Sequence, residues 1–230
     1  MKHPAMIPFL PRTCLLCLGL FISLFSACSS GSGTSAAGES GTEAAATFLA
    51  PDFLSAETIN ALNEIKAVFD QGISKGFGDR PPAYVYEQHA LRMRMDYFDD
   101  DPYTSVFPYN GEFDLSGLTE AVSKLPFITK KCGFQDPTTK EIINYFCFNT
   151  NPDYMNYLAA VGENSDLIKG FQYHYQEVKT IDQTLRQNML TQSVEQIDFA
   201  SLDQQYFYMM FHIIANEERL ALDQLQAQLD

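Results

Sequence analysis

The chain has 230 residues, of which 15 are lysine or arginine and 29 are aspartate or glutamate, so its formal net charge is −14 at pH 7. This surplus of negative charge repels nucleic-acid phosphates, so we expect no nucleic acid among its partners. Hydrophobic residues make up 46% of the chain and aromatic residues 13%, which is enough for a buried core and argues against a disordered protein.

The N-terminal segment has the pattern of an export signal. Lys2 and Arg12 are positive, and an apolar run of twelve residues, CLLCLGLFISLF, occupies 14–25. A membrane-spanning helix needs about 20 apolar residues, so this run is too short to cross a bilayer. Its length is typical of the apolar region of a secretory signal, and the small residues Ser26 and Ala27 that follow are typical of a cleavage site.

The tetrapeptide FSAC at 25–28 resembles the lipobox of bacterial lipoproteins, with phenylalanine where leucine is usual. The resemblance implies that residues 1–27 are a signal peptide that is removed, and that Cys28 is acylated with palmitate-type chains that anchor the protein in the membrane. Because Ser29 follows the cysteine, it also implies the outer membrane, with the domain in the periplasm or at the surface. The alternative is an ordinary secretory signal with a chance cysteine at its end.

A flexible tether is predicted after the acylation site. Residues 29–47 are rich in glycine, serine and alanine and have no apolar period. Chains of this composition behave as random coils, and nineteen residues have a mean end-to-end distance of roughly 24 Å. We therefore expect a lipidated tether over 28–47 and a globular domain over 48–230.

Three elements are expected in the first half of this domain. Apolar residues recur at helical spacing from Ile59 to Phe69, which predicts a helix over 55–71. Apolar and polar residues alternate over 91–97, which predicts a strand with one buried face. A short helix is expected over 115–125, because Pro126 ends it.

A hairpin closed by a disulfide is expected next. Two of the five cysteines lie in the predicted signal and Cys28 is the predicted acylation site, which leaves Cys132 and Cys147 as a pair in an oxidising compartment. Between them the turn sequence DPTT precedes strand-forming residues, so we expect 127–134 to pair with 141–149. Two free buried thiols are the alternative.

The last third of the chain predicts long helices. After a short helix over 153–161, apolar residues recur at steps of three and four over 168–189, which predicts one amphipathic helix of about 25 residues. Ser201 and Gln204 have the spacing of a capping box that opens a second helix. The stretch YFYMMFHIIA at 206–215 is apolar on nearly every side, so this helix is expected at the centre of the core. The predicted fold class is α+β, mainly helical, with a small antiparallel sheet and a long C-terminal helical pair.

One serine lies in a catalytic-type pattern. Residues 72–76, GISKG, match the G-x-S-x-G sequence of hydrolase nucleophile elbows, a turn that needs a strand before the serine and a helix after it. Here a helix is predicted before Ser74, and FGDRPP follows it. We therefore interpret Gly72 and Gly76 as residues that end a helix, and no catalytic residue is predicted.

No metal site or cofactor is predicted. His174 and Glu177 have the three-residue spacing found in carboxylate-bridged metal sites, but a second matching pair is missing, so a polar helix face is the interpretation. His212 lies in the apolar run and is interpreted as a buried histidine that is hydrogen-bonded to a neighbour. The acidic cluster at 96–101 lacks the glycine and glutamate of an EF-hand loop and is interpreted as a solvated turn.

Two functions from different classes remain. The first is a non-enzymatic, lipid-anchored module that binds a protein of the cell envelope as an assembly factor, an accessory subunit or an inhibitor of a basic protein. Its support is the acidity of the chain and an aromatic loop, because exposed aromatic residues are common interface anchors. The possible interface residues of this loop are Tyr103, Phe107, Tyr109 and Phe113. Packing of these rings in the core is the alternative.

The second function is an envelope hydrolase or metal-dependent enzyme. It would be favoured if His89, His174 and an acid met in one pocket. We prefer the binding module, because each catalytic pattern lacks the structural context that its chemistry requires.

Overall fold

Helices and one two-stranded antiparallel sheet make up the part of the chain that the computed structural model describes, residues 48–75, 77–99 and 119–229. This confirms the α+β, mainly helical fold class. The α-helices are α1 (Ala50–Phe53), α2 (Ala56–Ile73), α3 (Pro82–Asp99), α4 (Thr119–Ser123), α5 (Pro152–Val161), α6 (Asp166–Val178), α7 (Gln183–Gln196) and α8 (Leu202–Leu229). The strands are β1 (Ile128–Gln135) and β2 (Ile142–Phe148). None of the described helices is both long and apolar enough to span a bilayer.

Polar side chains set the start of four of these helices. Ser55, Asn151, Ser165 and Asp182 each accept a hydrogen bond from a backbone N–H in the first turn of α2, α5, α6 and α7, respectively. Such a cap satisfies one of the backbone donors that an α-helix leaves unpaired at its start. The helix boundaries therefore follow from short-range chemistry that is visible in the sequence.

The first half of α8 is the centre of the core, as its sequence predicts. Residues 203–216 are buried without a break, and Phe207 and Phe211 both pack edge-on against Phe171 of α6. The N-terminal cap of α8 matches the predicted capping box only in part. The Ser201 hydroxyl accepts from the Gln204 N–H at 3.4 Å, as expected. The Gln204 side chain, however, accepts from the N–H of Asp198 at 2.9 Å instead of that of Ser201.

The predicted hairpin is present and carries its disulfide. β1 pairs with β2 in a register that runs from Ile128 opposite Phe148 to Gln135 opposite Ile142. The Asp136 carboxylate accepts from the N–H groups of Thr138 and Thr139 and so closes the DPTT turn. Cys132 and Cys147 form a disulfide with their Cα atoms 6.0 Å apart, which confirms the predicted pair.

The strand predicted over 91–97 is wrong, because these residues belong to α3. Among the side chains of α3 that the structure describes, the buried ones are Val85, Tyr86, His89, Ala90 and Met93, a set spaced at three and four residues. Such spacing is that of one helix face. His89 is a polar residue type on this face, and the alternating pattern arises because Met95, although apolar, is 61% exposed.

The prediction of one long helix over 168–189 is also wrong, because the chain forms two helices there, α6 and α7. Lys179 has a left-handed conformation with φ of 61°, and Asp182 then caps α7. Ile181 is buried although it lies in the break, so it continues the helical period of the sequence without being helical. The helical pair becomes a trio of α6, α7 and α8.

Candidate functional site

Several residues singled out from the sequence lie outside the described part of the chain. These are the predicted acylation site Cys28, the aromatic residues Tyr103, Phe107, Tyr109 and Phe113, and residues Asp100 and Asp101. Asp96 and Asp99 lie in α3, but their side chains are not described. The lipid anchor and the aromatic interface therefore stay predictions.

The described geometry around Ser74 is not that of a nucleophile elbow. A helix, α2, precedes the serine, and the Ser74 hydroxyl donates to the Gln71 carbonyl at 3.3 Å, within the last turn. Gly72 does not end this helix as predicted. It lies inside the last turn, since α2 continues to Ile73, whose side chain is buried in the core.

Two histidines meet inside the core around Tyr208. His89 of α3 and His212 of α8 have ring centroids 5.4 Å apart, and the His89 Nδ1 atom is 2.8 Å from the Tyr208 hydroxyl. Burial lowers the pKa of His89 to about 3, helped by the charge of Arg92. Burial likewise lowers the pKa of His212 well below its usual value, with a further contribution from His89. Both rings are therefore neutral at pH 7.

His212 is buried as predicted, but its predicted hydrogen bond is absent from the described residues. Neither of its ring nitrogens has a hydrogen-bond partner there, and the residue is only 1% exposed. The ring instead packs on Tyr208, one turn earlier on α8, with centroids 4.3 Å apart. A buried polar atom without a partner costs about 1–3 kcal/mol, so this histidine is held in place by packing.

The structure does not bring His89 and His174 into one pocket. His174 is half-exposed on α6, and its Nε2 atom lies 2.9 Å from an Asp182 carboxylate oxygen across the break before α7. The Leu185 N–H and then His174 lower the pKa of Asp182. The i+3 partner Glu177 takes no part in this pair. Over the described ranges, three or more metal-ligating side chains converge nowhere.

Among the described residues, an open cleft lies between the hairpin, the α6–α7 break, the start of α7 and the second half of α8. We call it the hairpin cleft, and its cavity volume is about 330 Å³. Its apolar wall is formed by Phe134, Tyr145, Ile181 and Leu222. Its polar lining consists of Thr180, Asp182, Gln183, Arg186, Gln187 and Glu218.

Two rings of the hairpin form the aromatic side of the hairpin cleft. Phe134 of β1 and Tyr145 of β2 lie diagonally across the sheet and stack with centroids 5.1 Å apart. Successive residues of a strand alternate between its two faces, so this diagonal pair shares the face that lines the cleft. The disulfide and the turn therefore fix the wall by fixing the register of the hairpin.

An ion pair lies at the base of the hairpin cleft. Arg186 of α7 donates from Nη2 to a Glu218 oxygen of α8 at 2.8 Å, and their side chains are 15% and 18% exposed. Burial raises the pKa of Glu218, and the Arg186 charge opposes that rise. Burial and the Glu218 charge together raise the pKa of Tyr145 to about 12.

The ion pair uses only part of its hydrogen-bonding capacity. Among the described residues, the structure gives each partner one hydrogen bond, although a guanidinium has five N–H groups and a carboxylate has two oxygens. The Tyr145 hydroxyl also has no hydrogen-bond partner there. The hairpin cleft thus combines an apolar wall with donors and acceptors that remain available to a ligand.

The sequence does not predict the hairpin cleft, because its lining comes from two strands, the α6–α7 break, α7 and α8. The one available signal is Asp182, a capping residue type that divides the last amphipathic run. Comparison of the chain with protein-family models, with curated proteins and with solved structures gives no match.

Proposed function

We propose that the chain is a lipid-anchored protein of the bacterial cell envelope that binds a partner protein without catalysing a reaction. The observation that carries this proposal is the hairpin cleft. An open cavity with an apolar aromatic wall and a few polar groups that converge at its base is typical of a recognition site. The strong net negative charge of the chain, −14, favours a partner of opposite charge.

The position of the cleft along α8 fits an anchored binding module. The described chain begins at Phe48, which packs on Tyr206, and the N–H groups of Leu49 and Ala50 donate to the Asp203 carboxylate. Glu218 follows Asp203 by fifteen residues, a distance of about 22 Å at 1.5 Å per residue. The predicted tether would therefore join one end of α8, and the cleft would face a partner at the other.

The enzyme alternative lacks the observation that would favour it. His89 is enclosed in the core with Tyr208, whereas His174 lies at the surface with Asp182. An acid–base pair for catalysis needs both groups within hydrogen-bond reach of one substrate. The two histidines do not offer this arrangement.

The anchor is tested by acylation. Cells that produce either the original chain or the Cys28→Ser variant are labelled with radioactive palmitate, and the protein is then isolated. We expect label and loss of residues 1–27 in the original chain, and neither in the variant. Equal labelling of the two chains, or a mature protein that still begins at Met1, would contradict the anchor.

The binding role is tested in the cell envelope. The full chain is cross-linked in intact cells, purified under denaturing conditions through a C-terminal tag, and analysed by mass spectrometry. We expect one envelope protein to be enriched reproducibly over the Cys28→Ser variant, which lacks the anchor. The absence of any such protein, at a yield that recovers the tagged chain itself, would count against the binding role.

A further inference from the structure

We propose that the hairpin cleft binds one large apolar side chain from a basic segment of the partner protein and hydrogen-bonds the backbone amide next to that side chain. This inference rests on the proposed function and specifies the ligand that the hairpin cleft binds. It follows from the volume of the cleft, from the unused hydrogen-bonding groups at its base and from its charge.

The volume limits the occupant to a single side chain with its adjoining backbone. The cavity of about 330 Å³ is at the lower end of the range for ligand pockets, about 300–1,000 Å³. Stacked Phe134 and Tyr145 line the cavity together with Ile181 and Leu222, so a large apolar group finds apolar contacts there. Burial of such a group favours binding, because it removes apolar surface from water.

The unused groups at the base match one peptide unit. Arg186 can donate a further N–H to a carbonyl oxygen, while the second oxygen of Glu218 can accept an amide N–H. The hydroxyl of Tyr145 can serve as either donor or acceptor. Because Arg186 and Glu218 neutralise each other, a neutral amide fits this base better than a single ionised group, which would leave an unbalanced charge in a partly buried site.

The surroundings of the cleft favour basic flanking residues. Asp182 and Glu218 outnumber Arg186 within the lining, and the whole chain carries a net charge of −14. A potential of one sign raises the association rate of an oppositely charged partner. A segment in which lysine or arginine flanks the apolar residue is therefore the expected ligand, and an acidic segment is disfavoured.

The probe is a photo-reactive peptide. The N-acetylated, C-amidated pentapeptide Lys-Gly-X-Gly-Lys, in which X is benzoylphenylalanine, is irradiated with the full chain in non-ionic detergent. Mass spectrometry then locates the cross-links. We expect them within the lining of the cleft, at Tyr145, Gln187 or Leu222. A peptide with glutamate in place of both lysines should label the same residues more weakly.

Three variants test the assignment of the base and the wall. Arg186→Met should lower labelling by about tenfold, because the ligand carbonyl loses a charged hydrogen-bond donor. Arg219→Met, next to Glu218 on α8 but paired with Asp223, should leave it within about twofold. Leu222→Arg places a charge in the wall at a residue that is 37% exposed, so it should block labelling while the core stays folded.

Competition distinguishes a peptide from a free amino acid. N-acetyl-phenylalanine methylamide should compete with the probe, and zwitterionic phenylalanine should compete much less. Equal competition by the two would overturn the peptide assignment. Cross-links spread outside the cleft, or unchanged labelling of Arg186→Met and Leu222→Arg, would overturn the site while leaving the proposed function intact if the envelope partner is still captured.

Discussion

The two halves of α8 have the same backbone but opposite surroundings. From Asp203 to Asn216 every residue is buried, whereas from Glu217 onward most residues are partly or fully exposed. The first half supplies Phe207, Tyr208 and Phe211 to the core, and the second supplies Glu218 and Leu222 to the hairpin cleft.

Because of this difference, the first half of α8 stabilises the fold and the second half is available for recognition. The first half contacts α2, α3, α5 and α6, so a change there is expected to alter the fold. The second half has one face on the protein and one in solvent, so its side chains are free to bind a ligand at little cost to the core. Substitutions in the two halves therefore should have different effects on stability.

Truncation of a core ring should have the largest effect. Phe207→Ala removes a fully buried ring that packs on Phe171 and should lower the free energy of unfolding by about 3–5 kcal/mol. Leu222→Ala, in the second half, should lower it by less than about 1 kcal/mol, because that side chain is partly exposed. Urea denaturation of both variants measures the two losses of unfolding free energy. Losses of similar size would show that the two halves of α8 contribute equally to stability.

Asp203 at the start of α8 should have the next largest effect. Its buried carboxylate accepts from the N–H groups of Leu49 and Ala50 and from the Tyr157 hydroxyl, at 2.9, 3.0 and 3.0 Å. Asp203→Ala leaves the two N–H groups unpaired and the Tyr157 hydroxyl with only its 3.3 Å bond to the carbonyl of residue 203, and it should cost about 3 kcal/mol. Asp223→Ala, in an exposed ion pair on the same helix, is the control and should cost less than about 1 kcal/mol.

The histidine cluster should make the first half sensitive to acid. Because folding lowers the pKa of His89 and of His212, the unfolded chain binds protons below pH 6.5 that the folded chain does not. Stability is therefore complete above pH 6.5 and falls as the pH drops towards 3, by up to about 1.4 kcal/mol per pH unit for each histidine.

Replacement of one ring tests this acid sensitivity. His212→Phe keeps an aromatic ring on Tyr208 and removes one titrating group, so unfolding free energies measured between pH 7 and pH 5 should decline less steeply than in the original chain. Parallel declines in the two chains would show that His212 does not contribute to the acid effect. Glu217 and Glu218 cannot cause such a decline, because their raised pKa values make the folded chain bind protons before the unfolded chain does.

What the sequence predicts well is local or strongly patterned. The DPTT turn, the cysteine pair and the apolar start of α8 are each determined by neighbouring residues or by compartment, and the structure confirms them. The errors arise where burial depends on distant contacts. His89 can lie on a buried helix face because its ring forms a hydrogen bond with the Tyr208 hydroxyl of α8. Ile181 is buried although it lies outside any helix.

The hairpin cleft could not be predicted for the same reason. It exists because the chain breaks between α6 and α7 at Lys179, and the long apolar period conceals that break. Residues 180–182 of this break line the cleft beside α7. Only the assembly of the hairpin, α7 and α8 brings Phe134, Arg186 and Glu218 together.

The ion pair in the second half of α8 should have the smallest effect on stability. Arg186→Met leaves the half-buried Glu218 carboxylate without its partner and should cost about 1–2 kcal/mol, less than for a fully enclosed pair because water still reaches the site. The double variant Arg186→Met/Glu218→Leu removes both charges and should regain most of that loss, since an apolar pair of similar volume often replaces a buried ion pair without cost. A double-mutant cycle from urea denaturation measures the difference. If the double variant were as unstable as the sum of its single changes, the pair would be part of the structural core, and the second half of α8 would not be free for recognition in the way that its exposure indicates.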